Sequence, residues 1–322
     1  MRQHPWPAVS ADAAAARVSS HGEERDDATV LKGGILAILA GALFLFAGIW
    51  VGAVVAGHVR PAIPTSPTGP HPSFDPLQAD VEQLVQASGA AVGVTLIELG
   101  GPSPGTWSYD GDRSFVAAST YKLPLLMMEA QNVAASRWRS RDSLCYQDSD
   151  EEDGWFDDYQ DGTCLTRGEL EMRVGLYSDN TAAHILVRYA GGGAALDSYA
   201  HAHGARESAF FVPNTTTAND LARLWADEYA GRAGGRAAQQ LLYPQLTHTA
   251  FEEGIPAGVP ATAAVVHKVG VVDAQVNDAA LVRNGPHGDY VLAICTEAGG
   301  GEAGWTLLAD ISHAAWEYES SR

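Results

Sequence analysis

Ser119-Thr120-Tyr121-Lys122 is the first of three short motifs in this sequence, and it is followed by Ser178-Asp179-Asn180 and Lys268-Val269-Gly270. The chain has only three lysines, and two of them stand in these motifs. An arginine guanidinium keeps its proton, whereas a desolvated lysine ammonium can become a neutral base. A Ser-x-x-Lys match alone arises easily by chance. The order and wide spacing of the three motifs therefore carry the prediction.

The motif residues suit acyl transfer through a serine. Ser119 at the start of a helix would place its hydroxyl where the helix dipole favours negative charge. Lys122 returns to the same helix face one turn later, and burial beside the second cation Lys268 would lower its pKa until it can take the serine proton. Ser178 would pass a proton to the departing nitrogen. Singly, these serines could be helix caps and these lysines solvated; their joint occurrence favours catalysis.

Length and charge limit the function classes. A chain of 322 residues with 46% hydrophobic content can form one large domain or two small ones. A formal net charge of −19 argues against nucleic acid as a partner, because phosphate binding needs a basic face. His201 and His203 are too isolated to indicate a metal site, and we expect neither a metal nor a cofactor.

The N-terminal part of the chain predicts a membrane anchor. Residues 1–32 lack any helical or strand period and are interpreted as a disordered cytoplasmic tail. The uncharged run 33–57 is long enough to span a bilayer core of about 30 Å as a helix. Most basic residues near this run precede it, which predicts an inside N-terminus. A cleaved signal peptide ending near Ala56 is the competing interpretation, and the length of the run favours an uncleaved anchor.

A proline-rich linker, residues 58–76, would then lift the remainder off the membrane as a stiff, extended spacer. Residues 77–322 would form the functional domain outside the cytoplasm. The sequence thus predicts a single-pass protein of the cell membrane.

Cysteine positions agree with export. Cys145 and Cys164 bracket an acidic loop and could form a disulfide outside the cell, whereas Cys295 lies in an apolar run and is expected to be a buried strand residue. The acidic loop itself, 148–161, matches a calcium-binding EF-hand poorly. We interpret it as a solvated loop that could pair with Arg137, Arg139 and Arg141.

Periodicity and turn signals predict strands near both ends of the chain and helices in the middle. Helices are expected at 77–87, 119–131, 165–177, 181–189, 218–229 and 304–318, and strands at 91–99, 106–109, 263–272, 278–282 and 289–297. Thr215, Thr216 and Thr217 are expected to cap the helix that follows them. One sheet would therefore be built from the chain ends, with a site in the cleft beside the helical middle.

The three motifs, together with Asn277-Asp278 and Ile255 to Pro260, resemble those of the penicillin-interacting serine hydrolases, particularly the class A β-lactamase-like branch. The resemblance covers about 77–318. It implies an α/β fold in which an antiparallel sheet is flanked by helices and joined to an all-helical subdomain. The site would lie at the junction.

The resemblance also implies roles for further residues. Asn180 would hold the substrate amide and help to fix Lys122. The oxyanion would be bound by the backbone N–H groups of Ser119 and Val271, on a strand that includes Val269 and Gly270. Lys268 would attract a substrate carboxylate.

Two departures from the family pattern stand out. Val269 occupies a position where the family has a threonine or serine, so a donor for the substrate carboxylate is lost. The segment 204–217 is too short for the loop that carries the deacylating glutamate of class A β-lactamases. Its one acid, Glu207, is interpreted as a surface residue. A slow loss of the acyl group is expected.

The main hypothesis is a membrane-anchored extracytoplasmic serine hydrolase that forms an acyl-enzyme, either D,D-peptidase-like or β-lactamase-like. Its partner would be cell-wall peptide, a related amide or ester, or a β-lactam-like small molecule. Two alternatives stay open: a binding or sensing module of the same fold with little turnover, and a true β-lactamase.

Overall fold

The computed structural model describes residues 71–322, in which a five-stranded sheet lies between helices. The α-helices are α1 (Asp75–Ser88), α2 (Lys122–Ala134), α3 (Arg167–Tyr177), α4 (Asn180–Tyr189), α5 (Gly193–Ala202), α6 (Ala218–Tyr229), α7 (Gly235–Leu242) and α8 (Gly301–Ser321). The strands are β1 (Ala91–Glu98), β2 (Thr106–Tyr109), β3 (Phe115–Val116), β4 (Ser143–Cys145), β5 (Cys164–Thr166), β6 (Thr215–Thr216), β7 (Ala264–Val272), β8 (Gln275–Arg283) and β9 (Tyr290–Glu297).

The main sheet has the order β2-β1-β9-β8-β7, and every neighbouring pair is antiparallel. Two strands, β1 and β2, come from the start of the domain and three, β7 to β9, from its end. The two groups are joined where β1 pairs with β9. The antiparallel sheet predicted from the chain ends is confirmed. β7 is an outer strand of this sheet, and it carries the last of the three motifs.

Helices cover both faces of the sheet because its central strands are apolar on both sides. Along β9, Val291 and Cys295 face one hydrophobic core, whereas Leu292 and Ile294 face another. The first core is shared with the helical middle of the chain. The second is closed by α1 and α8. The layered α/β fold with a helical subdomain agrees with the prediction.

Some element boundaries differ from the predictions for identifiable reasons. The expected helix at 119 begins as a 3₁₀ turn, Ala118–Tyr121, and becomes α-helical at Lys122. The expected helix at 165 starts at Arg167, because Cys164–Thr166 pairs with β4 and the Thr166 hydroxyl caps the helix by accepting from Glu169 N–H.

Two helices, α5 and α7, were not predicted, and each follows glycines with left-handed φ. Of the three threonines expected to cap α6, Thr217 does so by accepting from Asp220 N–H, whereas Thr215 and Thr216 form β6 and pair with β3.

The predicted disulfide between Cys145 and Cys164 is present, and it closes the acidic loop at the β4–β5 hairpin. Most of the loop is exposed, as expected, but Asp150 is buried and pairs with Arg188, while Asp158 pairs with Arg173. The arginines suggested from the sequence are therefore not its partners.

Residues 71–322 contain no helix that is both long and apolar enough to cross a bilayer. The anchor predicted at 33–57, the tail at 1–32 and the linker as far as residue 70 lie outside the described residues. Within the described part, α1 begins at Asp75, two residues before the predicted start of the domain.

Candidate active site

Ser119 lies in the 3₁₀ turn that leads into α2, and the side chain of Lys122 folds back toward it. The Lys122 Nζ is 2.9 Å from Ser119 Oγ, 2.6 Å from the carbonyl oxygen of Ser178 and in contact with Asn180 Oδ1. Its side chain is completely buried. The first two motifs therefore meet at one amine.

The surroundings of Lys122 bring its pKa close to neutrality. Burial is the largest influence and disfavours the ammonium, while the carboxylates of Asp179 and Glu152 act in the opposite direction. Together they lower the pKa of Lys122 to about 7. A lysine in this state can both take and return a proton at physiological pH.

Lys268 reaches the same place from β7. Its Nζ donates to Ser178 Oγ and to the carbonyl oxygen of Val269, each at 2.9 Å. Burial and the nearby charge of Lys122 lower the pKa of Lys268 well below its usual value. The Ser178 hydroxyl also lies 3.4 Å from Lys122 Nζ, so it bridges the two lysines.

The backbone at the second motif is tightly fixed. Ser178 follows the last residue of α3 with a left-handed φ of 57°, and Asp179 then caps α4 by accepting from Ala182 N–H at 2.8 Å. The buried Asp179 carboxylate also accepts from Trp155 N–H at 3.0 Å and from Tyr159 hydroxyl at 2.7 Å. This middle residue, to which the sequence assigned no role, ties the acidic loop to the site.

The third motif lies against the serine turn. A Cβ at Gly270 would come within 2.5 Å of the Ala117 carbonyl oxygen and 2.8 Å of Thr120 N, so only glycine lets β7 approach this closely. β7 is an outer strand of the sheet, so one of its edges is open beside the serine turn. The oxyanion role of the Val271 N–H stays a prediction.

His267 points to the opposite side of β7 and is not part of the cleft. It is buried between two carboxylates, with Nδ1 3.0 Å from Asp278 Oδ1 and Nε2 3.3 Å from Glu252 Oε1. Burial alone would lower its pKa, but these partners raise the pKa of His267 to about 9. This charged cluster anchors the strand that bears Lys268.

One residue at the site was missed by sequence reasoning. This residue is Glu152, in the acidic loop. Its backbone N–H donates to Thr181 Oγ1 at 3.1 Å, and its carboxylate lies 2.8 Å from His184 Nε2. The acidic run before Ser178 was the available signal, but it did not single out this member. Glu207, by contrast, is exposed, and its backbone N–H donates to Asp220.

Within residues 71–322, no three His, Cys, Asp or Glu side chains come together as possible metal ligands. The five residues proposed for catalysis from the sequence, in contrast, form one connected set of contacts at the junction of sheet and helices. They are Ser119, Lys122, Ser178, Asn180 and Lys268.

Comparison with solved structures agrees with this architecture. The chain is similar to PBP-A, with 22% identity and a TM-score of 0.71 over 78% of this chain and 98% of that one. A point mutant of PBP-A, solved as an acyl-enzyme complex with penicillin G, gives 22% identity and a TM-score of 0.72 over the same shares. A β-lactamase from Sphaerobacter thermophilus gives 26% identity and a TM-score of 0.69, with 78% and 99% covered.

No curated protein matches the chain. The family model described as the β-lactamase enzyme family, Beta-lactamase2, matches residues 76–318, which is most of the chain and the whole of the layered fold. Together with the site geometry, this match shows that the chain belongs to the β-lactamase enzyme family and is a serine hydrolase of β-lactamase-like fold.

Proposed function

We propose that this protein is a membrane-anchored extracytoplasmic hydrolase that forms an acyl-enzyme through Ser119, on cell-wall peptide or a related amide or ester. The observation that carries the proposal is the 2.9 Å contact between Ser119 Oγ and the buried amine of Lys122. A pKa of about 7 leaves a large neutral fraction of this amine at physiological pH. The serine therefore has a base in place.

The arrangement supplies each step of acylation. Neutral Lys122 takes the proton of Ser119, whose Oγ attacks the carbonyl carbon, and the N–H groups of Ser119 and Val271 stabilise the oxyanion. Collapse of the intermediate breaks the bond to the leaving group, which takes a proton from the Ser178 hydroxyl. The hydroxyl is restored from Lys122, which received the serine proton and lies 3.4 Å away.

The cleft favours an amide or ester over a strongly carboxylate-dependent ligand. Val269 offers no hydroxyl, and Lys268 is already engaged by Ser178 and a backbone carbonyl. Beside the site, Trp155 packs against Tyr177 with ring centroids 5.7 Å apart, which provides an aromatic wall. An extended peptide could pair with the open edge of β7 and place an apolar group on this wall.

The first test is covalent labelling. Full-length protein in detergent is incubated with a fluorescent penicillin and, separately, with a p-nitrophenyl ester, and the adduct is mapped by mass spectrometry. We expect one labelled residue, Ser119, and no label in Ser119→Ala. Absence of both an adduct and hydrolysis with both probes between pH 6 and 9 would contradict the acyl-enzyme and favour a binding or sensing module. Rapid hydrolysis of a chromogenic cephalosporin would instead favour a true β-lactamase.

Membrane anchoring is tested independently of chemistry. We expect the full-length chain to sediment with membranes and the domain to be digested by protease added outside intact cells. Deletion of 33–57 should leave the protein in the cytoplasm. Release of the intact chain from membranes by high salt would contradict an anchor in the bilayer.

A further inference from the structure

We infer that Glu152, oriented by His184, is the base that activates water for hydrolysis of the acyl-enzyme, in place of any glutamate from the segment 204–217. This inference rests on the proposed acyl-enzyme. It concerns the second half of the reaction, for which residues 204–217 offer only the exposed Glu207.

The main chain around Glu152 is hydrogen-bonded to the first residues of α4. Thr181 Oγ1 accepts from Glu152 N–H at 3.1 Å and donates to the Glu152 carbonyl at 2.8 Å. The next carbonyl, that of Asp153, accepts from Asn180 Nδ2 at 2.7 Å. The other end of the Asn180 carboxamide contacts Lys122 Nζ. One carboxamide therefore separates this loop from the amine that faces Ser119.

The side chain of Glu152 is positioned by His184, which lies in α4 on the same face as Asn180. His184 follows Asn180 by four positions in α4, so the two side chains lie on one side of the helix. Its Nε2 is 2.8 Å from Glu152 Oε2. The Glu152 side chain keeps 48% of its surface exposed, so one carboxylate oxygen is held while the group remains open to water.

A third segment, 211–214, lies between His184 and the serine turn. It contributes a hydrogen-bond acceptor that has no partner among the described residues. The Phe211 ring contacts His184 and Tyr121, with centroid distances of 5.0 Å and 5.8 Å. Three residues later, Asn214 donates to the carbonyl of Ala118, next to the serine, at 2.9 Å. Among the described residues, its buried Oδ1 accepts no hydrogen bond. A buried polar atom of this kind is commonly satisfied by an ordered water.

The electrostatics agree with this placement. The hydrogen bond from His184 is the main influence that lowers the pKa of Glu152, and the charge of Lys122 lowers it further. The two groups that favour the carboxylate come from α4, which carries His184, and from α2, which carries Lys122. Reciprocally, Glu152 raises the pKa of Lys122, as expected for groups that share one site.

The deacylation step can be written without any further reactant. Water gives a proton to the Glu152 carboxylate while its oxygen bonds to the acyl carbon. This proton passes from Glu152 through solvent to the neutral Lys122 amine. The tetrahedral intermediate then collapses, the bond to Ser119 Oγ breaks, and Oγ takes the proton from Lys122. The carboxylic acid product leaves, with Glu152 again a carboxylate and Lys122 again a neutral amine. Charge and atoms balance over the cycle.

The decisive experiment compares Glu152→Gln with Glu151→Gln in the full-length protein. Glu151 is the neighbouring exposed carboxylate, so its variant removes the same charge from the same loop. The acyl-enzyme is formed with fluorescent penicillin, and its decay is followed after a chase with unlabelled penicillin. Acylation is measured separately from the rate of adduct appearance.

We expect Glu152→Gln to slow deacylation by about a hundredfold or more, the range typical of a lost general base, with a smaller effect on acylation. The residual decay in this variant should increase with pH, because hydroxide then replaces the activated water. Glu151→Gln should decay like the unaltered protein. His184→Gln should give an intermediate rate, because the carboxylate remains but loses its orienting partner.

Equal adduct lifetimes and equal pH dependence in Glu152→Gln and the unaltered protein would overturn the inference while leaving the acyl-enzyme intact. Failure of the unaltered protein both to form an adduct and to hydrolyse the penicillin would overturn both. If Glu152→Gln unfolds on heating at a much lower temperature, Glu152→Asp replaces it. Aspartate keeps the charge and shortens the reach, so an unchanged decay rate in that variant also contradicts the inference.

Discussion

The helical side and the sheet side of the cleft each contribute one buried lysine, but in different electrostatic surroundings. On the helical side, Lys122 is influenced by the carboxylates of Asp179 and Glu152, which keep its pKa near 7 despite burial. On the sheet side, burial and then the cation of Lys122 lower the pKa of Lys268 well below its usual value. We therefore assign proton exchange with Ser119 to the helical side, where Lys122 Nζ contacts Ser119 Oγ, while the sheet side supplies hydrogen-bond donors and shape.

The strongest challenge to this division is Lys122→Arg. A guanidinium retains the charge but cannot take the serine proton, so acylation should fall by about 10²- to 10⁴-fold. In the unaltered protein, acylation should increase with pH through an apparent pKa of about 7, because the neutral amine is the active form. The variant should lack this dependence. Stopped-flow measurement of ester acylation across pH 5–9 checks both points, and a variant that keeps the same profile would assign the titration to another group.

A second test removes a carboxylate from the helical side. Asp179→Asn should destabilise the domain by roughly 2–3 kcal/mol, because charge-assisted hydrogen bonds to the α4 terminus and the acidic loop are lost. Since Asp179 raises the pKa of Lys122, the acylation profile should also move to lower pH. Urea unfolding and the pH–rate profile measure the two effects. A profile that moves to higher pH would contradict the electrostatic assignment.

On the sheet side, the comparison is sharpened by His267→Gln. The folded-state pKa of His267, about 9, exceeds its unfolded value of about 6.5, so its stabilising contribution is complete below pH 6.5 and is lost as the pH rises through 9. We expect the variant to be less stable by about 1–3 kcal/mol at pH 6 and to approach the unaltered protein above pH 9. Thermal unfolding at several pH values checks this. A stability difference that grows with pH would indicate a neutral histidine.

The smallest effect is expected for Val269→Thr. The added hydroxyl would supply one hydrogen bond to a ligand carboxylate on the sheet side, worth about 0.5–1.5 kcal/mol. Acylation by penicillin should therefore become up to about tenfold more efficient, whereas acylation by an uncharged ester should not change. Parallel measurements with both probes separate the two. An equal gain for both probes would indicate a repacked site rather than carboxylate recognition.

Local patterns were enough to predict most of the sheet. Apolar runs bounded by turns gave the strands at 91–98, 106–109 and 264–272 within a residue or so, since a strand buried on both faces reads as a continuous apolar segment. α5 and α7 escaped because each is short and follows glycines, which break the helical pattern. The strand Cys164–Thr166 escaped because its partner lies 19 residues away in sequence.

The candidate site shows the same limit more clearly. Ser119, Lys122, Ser178, Asn180 and Lys268 could be named from the sequence because their motifs have fixed spacing. Glu152 could not, because nothing in an acidic run says which carboxylate will face His184 after the loop docks on Asp179. Contacts that depend on one loop conformation have no local signature.

The position of Cys295 settles which disulfide this domain can keep. Three cysteines allow three different single bridges, but Cys295 lies fully buried in β9, the middle strand of the sheet. A thiol with no solvent contact and a raised pKa presents almost no thiolate to an oxidant or to a neighbouring disulfide. Once the sheet has formed, Cys295 cannot form a bridge with Cys145 or with Cys164. The remaining pairing, Cys145–Cys164, joins the ends of the acidic loop. The domain can therefore mature in an oxidising compartment without having to sort among isomers.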